Sequence, residues 1–122
     1  MNDIEAKNQL QDMVDDIAHA IQYGMTYEEA GMDHEANDCE PGDPISAYDW
    51  LFDALDIQYI VTGNGEYLGA RILVAFGGPN IWVNTQTKEV EGYWWGDYVS
   101  ARIDGDSLGL DDALAEHWEC CK

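Results

Sequence analysis

Positive charge is what this chain has least of. Five Lys and Arg stand against twenty-five Asp and Glu, a formal net charge of −20. A nucleic-acid-binding protein needs a basic footprint to displace counterions from phosphates. Lys7, Arg71, Lys88, Arg102 and Lys122 are too few and too scattered to make one, and an anionic membrane surface is excluded on the same ground. Long apolar runs are missing too: no stretch approaches the ~20 residues of a membrane-spanning helix. The opening Met1-Asn2-Asp3-Ile4-Glu5 has neither the basic nor the apolar segment of a secretory leader. Three cysteines, two of them adjacent at Cys120-Cys121, are no disulfide framework. The expected compartment is a reducing cytoplasm.

What is present is enough apolar material for a core. Hydrophobic residues make up 46% of 122, which argues for one folded domain, 1–122, and against disorder. Small soluble domains manage with a net charge of roughly 2 to 8 in magnitude, and repulsion among surplus acids destabilises the compact state. The acids therefore imply a use beyond solubility.

The expected fold is α+β, with an antiparallel meander of four or five strands over about 57–103, N-terminal helices and a C-terminal helix. Ile57, Tyr59 and Val61 alternate with polar residues, and Asn64-Gly65 is the pair preferred by a type I′ hairpin turn. The return strand 67–76 places Leu68, Ala70, Ile72, Val74 and Phe76 on one face, expected to be buried under a helix. Gly77-Gly78-Pro79-Asn80 breaks it. Strands at 81–85 and 89–95, and a last one at 98–103, complete the sheet.

Leu10, Val14, Ile17 and Ile21 form one apolar stripe of a helix over 3–23, stopped by Gly24. Asp12, Asp15 and Asp16 lie off that stripe. Thr26-Tyr27-Glu28-Glu29 has the form of a capping box and predicts a short helix to about Met32. A loop comes next, carrying Asp33, Glu35, Asp38, Glu40 and Asp43. It echoes a calcium loop at Asp33, Glu35 and Asn37 but has Asp38 where the turn glycine belongs, and His34 and Cys39 lack zinc spacing. No metal or cofactor is expected. Ser46 caps a helix over 47–55, on which Asp49 and Asp53 stand four residues apart. The last helix, 110–119, carries Asp111 and Asp112 in its first turn, where the helix dipole favours them, and Glu116 and Glu119 late, where it does not.

No nucleophile–base pair or metal-ligand set can be assembled from these residues, so no enzymatic activity is expected. Trp82, Tyr93 and Trp95 offer either core and surface positions or an aromatic platform for a partner. A homodimer is left open as an assembly, independently of these residues. Gly77–Thr85 (GGPNIWVNT) and Gly92–Asp97 (GYWWGD) resemble segments of small proteins found on phages and mobile elements. In its acidity and small size the chain also resembles the phage proteins that mimic DNA, of the antirestriction and anti-CRISPR type. That resemblance implies an inhibitor whose carboxylates stand where a bacterial nuclease expects phosphates. Its partner would be a basic nucleic-acid-binding protein of the host, a CRISPR effector or a restriction enzyme.

The residues expected to meet that partner are Asp12, Asp15 and Asp16; Glu28, Glu29, Asp33, Glu35, Asp38, Glu40 and Asp43; Asp49 and Asp53; and Asp112 and Glu116. The N-terminal half is favoured, because residues 28–56 hold ten acids and no Lys or Arg. The competing readings are a halophile-type acidic domain and a small metal-binding module.

Overall fold

The computed structural model describes residues 3–33, 35–37 and 39–121; His34 and Asp38 lie outside them. Helix α1, Asp3–Tyr23, buries Leu10, Val14, Ala18 and Ile21 on the predicted stripe. Gly24 ends it with φ 78°, its N–H donating back to the Ala20 carbonyl at 2.8 Å. The Thr26–Glu29 box forms in both directions, at 3.2 and 3.1 Å. Beyond the box the chain makes one hydrogen-bonded turn and not the expected helix. The reason is tertiary: Ile45 donates to the Met25 carbonyl at 2.7 Å, and Thr26 bridges Pro44, so the chain is drawn back across itself.

Helix α2, Ala47–Leu51, begins as predicted, with the Asp49 N–H donating to Ser46 Oγ at 3.1 Å. It stops four residues before the expected end. Leu55 already donates to the Leu73 carbonyl at 2.8 Å, and that bond leads the chain into the sheet.

The sheet is a five-stranded antiparallel meander in chain order: β1 Asp56–Val61, β2 Tyr67–Ala75, β3 Asn80–Asn84, β4 Glu89–Trp94 and β5 Asp97–Arg102. Register puts Ile57, Ile72, Val83, Val90 and Ala101 in one row and Ile81, Gly92 and Val99 in the next. Both rows face the helices. Helix α1 packs on β4 and β5, and α3, Leu110–Cys121, packs on β2. At Gly92 α1 lies close against the sheet: a Cβ there would stand 2.8 Å from Val14 Cγ1 and 2.9 Å from Leu10 Cδ1. Among the described residues no helix packs on the opposite face.

Two expectations about β2 are corrected. Leu68 is 48% exposed and Phe76 is 73% exposed, although Ile72 between them is fully buried. Each end of the strand carries an extra residue. Ile60 pairs with Gly69 but Val61 with Tyr67, skipping Leu68; Leu73 pairs with Trp82 but Ala75 with Ile81, skipping Val74. A bulge interrupts the two-residue alternation, so Tyr67 takes the inward place at one end and Phe76 is thrown outward at the other.

The turns differ as well. Thr62 and Glu66 close the first hairpin at 2.9 Å around a three-residue loop, with only Gly65 at positive φ, 84°. That is a type I turn followed by a left-handed residue. The type I′ turn lies instead at Trp95-Gly96, with φ values of 55° and 81°.

Candidate partner-binding surface

The acidic residues singled out in the sequence fall into three places. Asp12, Asp15 and Asp16 stand exposed on the side of α1 away from the sheet. Asp12 and Asp16 are one turn apart, about 6 Å along the axis. Gln11 steadies this face, donating to Asp15 at 2.9 Å and to the Ser100 carbonyl at 3.1 Å.

The second place is the segment between α1 and β1. Glu28, Glu29, Asp33, Glu35, Glu40 and Asp53 are exposed, and Asp43 and Asp49 are half-buried. Several have local duties that sequence reasoning missed. Asp33 accepts from the Glu35 N–H at 2.9 Å, and Asp43 from the Glu40 N–H at 2.9 Å. Asp49 accepts from the buried Tyr27 hydroxyl at 2.5 Å. The Asp49 bond, then a contact with Cys39, then burial push the Tyr27 pKa up to about 12. Because α2 ends at Leu51, Asp49 and Asp53 do not form the expected helical i,i+4 pair. They line, with Met32, Asp33 and Phe52, an open depression of about 390 Å³.

The third place is α3. Asp112 is exposed in its first turn, beside Asp104, Asp106 and Asp111 at the rim of a recess of about 310 Å³ that also holds Lys88. Asp106 is the cap of α3, its carboxylate accepting from the N–H groups of Gly109, Leu110 and Asp111, each at 2.9 Å. The Tyr67 hydroxyl donates to Asp111 at 2.6 Å, and burial, followed by that bond, raises its pKa. Glu116 bonds Tyr48 of α2 and raises the pKa of that phenol. His117 meets the Tyr59 hydroxyl through Nδ1, and Cys121 Sγ lies 3.6 Å from its Nε2. The i,i+4 spacing of His117 and Cys121 was the signal for that contact. The Tyr59–His117 contact ties the end of α3 to edge strand β1. Among the described residues no group of three or more His, Cys, Asp or Glu is arranged to hold a metal ion.

No family model matches the chain, and neither a curated protein nor a solved structure matches it.

Charge is sorted between the two sides of the sheet. The uncovered face carries Arg71 and Arg102 with Glu89, Glu91 and Asp56, by the register Gln58–Arg71–Asn84–Glu89–Arg102 and Asp56–Leu73–Trp82–Glu91–Ser100. Arg71 lies 4.3 Å over the Trp82 ring and 3.6 Å from Glu91. Tyr93 donates to Glu91 at 3.0 Å, and its ring meets that of Tyr98 at a 46° tilt, centroids 5.1 Å apart. Trp82 and Tyr93 thus share this face, whereas Trp94 packs towards the core and Trp95 stands 81% exposed in its turn. The other described acids lie on the helices, in the loops and, as Asp97, at the start of β5. No helix among the described residues is long and apolar enough to cross a membrane.

Proposed function

We propose that the chain is a non-enzymatic inhibitor acting by DNA mimicry in the cytoplasm of a bacterial host. Its acidic helix-and-loop surface occupies the nucleic-acid-binding site of a defence nuclease, a CRISPR effector or a restriction enzyme. The observation that carries the reading is the sorting of charge. Solubility needs a net charge of only roughly 2 to 8, yet Asp12, Asp16, Glu40 and Asp53 stand exposed on the helices and loops, while the uncovered sheet face sets Arg71 and Arg102 against Asp56, Glu89 and Glu91. A duplex presents one negative charge per ~1.7 Å of axis, and a carboxylate array of the same sign is drawn to the same basic groove at an enhanced rate.

The test is binding to a panel of purified CRISPR effectors and restriction enzymes, with duplex DNA as competitor. Binding should be lost to competing DNA and should weaken as salt rises, because exposed charges are screened beyond ~8 Å at physiological ionic strength. Reversing Glu40 and Asp53 to Lys should weaken it far more than the equal change in charge made by reversing Glu89 and Asp97. A complex indifferent to DNA and salt, or equal losses from the two sets, would overturn the reading.

A further inference from the structure

The uncovered face of the sheet has an apolar patch at its centre, beside the Arg71–Glu91 pair. Trp82 occupies the middle of the central strand, with Leu73 beside it on β2 and Tyr93 and Tyr98 in the next row on β4 and β5. Tyr93 remains 38% and Tyr98 48% exposed. Its charges nearly balance, whereas the described acids elsewhere crowd the helices and loops. We propose that this face is the interface of a homodimer.

Three arguments select a second copy as the occupant. Two molecules of charge −20 can approach only where charge is balanced, and this face is where the arginines stand. The face is also complementary to itself. A two-fold axis parallel to β3 sets Trp82 against Trp82 and places Arg71 of one copy across from Glu89 of the other, because these lie in one row on the strands flanking β3. Finally, the acids stay apart in such a dimer. Packed sheets are ~10 Å apart and each carries a helix layer ~10 Å thick outside it. The two acidic surfaces then stand on the order of 30 Å from each other, more than three Debye lengths at physiological salt. The face is small, five strands ~4.8 Å apart, which places the dimer at the weak end of specific interfaces.

Sedimentation equilibrium of the whole chain at tens of micromolar tests this. The expected mass at physiological salt is twice the chain mass of 13.7 kDa. Association should weaken by tenfold or more near 0.01 M salt, where the Debye length grows to ~30 Å and the acidic layers feel each other. Tyr98→Glu and Leu73→Glu should each give monomers, with near-ultraviolet circular dichroism confirming that they fold. Tyr98 is exposed, so Tyr98→Glu decides alone should Leu73→Glu fail to fold. Asp16→Lys, on the outer side of α1, should remain dimeric. A monomer at every salt overturns the proposal. So does a dimer that survives Tyr98→Glu, which would place the interface elsewhere.

Discussion

Gly92→Ala is the sharpest probe of how α1 is seated. The added methyl would stand 2.8 Å from Val14 Cγ1, 2.9 Å from Leu10 Cδ1 and 3.1 Å from Leu10 Cγ. Leu10 and Val14 are fully buried, so neither can swing into solvent, and the helix itself must lift. Overpacking of this kind costs about 1–3 kcal/mol. For a domain of this size that is a fall in Tm of roughly 3–15 °C, read by thermal melting or urea titration. Leu10→Ala alone should cost about 2–5 kcal/mol through the cavity it leaves. Combined with Gly92→Ala it should cost less than the sum, because the methyl fills part of that cavity. A Gly92→Ala variant as stable as the parent, or strictly additive losses, would refute the close approach of α1 to β4.

Other outcomes rest on single features. Trp95→Asn creates the Asn-Gly pair that a type I′ turn prefers and removes an exposed ring from a left-handed backbone, so it should raise stability by about 0.5–1 kcal/mol; a lower Tm would count against the turn type. Asp106→Ala should cost about 1–2 kcal/mol in chemical denaturation by uncapping α3, whereas Asp12→Ala should be neutral or stabilising. On the alkaline side, Tyr27 and Tyr67 have phenols raised above the ordinary value of 10.0, Tyr27 to about 12. A raised acid favours folding while it is protonated, so this stability is complete below pH 10 and drains away as the pH climbs towards 12. Melting curves over that window should fall less steeply in Tyr27→Phe and Tyr67→Phe, and an unchanged slope in both would sink the assignment.

Much of this architecture was legible in the residues. The 4-3-4 spacing of Leu10, Val14, Ile17 and Ile21 with Gly24 behind it marks α1, which spans the expected 3–23. The strands lie within about one residue of their predicted ends. Bulges were not legible: a strict alternation through Leu68 and Phe76 looks the same whether or not an extra residue interrupts it, and cross-strand register decides. Register also set the first hairpin, where pairing of Thr62 with Glu66 left three residues to close it whatever Asn64-Gly65 preferred. The roles of Asp33, Asp43 and Asp49 were hidden because their partners are a backbone N–H in a loop or a tyrosine twenty-two residues away. The sorting of charge had a signal that went unread. Arg71 sits between Ala70 and Ile72, and Arg102 between Ala101 and Ile103, so alternation alone sends both guanidinium groups to the face opposite the core.

The order of the chain has a consequence for its synthesis. Helix α1 comes first but rests on β4 and β5, which come last of the strands. At about 5–20 residues per second, its apolar stripe waits roughly 4–16 s for the surface it will cover. Strands β1 to β3 can pair with their immediate neighbours as they emerge, yet the platform for α1 is incomplete until β5 has been made. Asp12, Asp15 and Asp16, on the other side of the helix, keep the waiting segment hydrated and repel any second nascent chain at the same stage. A ribosome-stalled series should show α1 protected from proteolysis only once residues beyond Arg102 have left the exit tunnel.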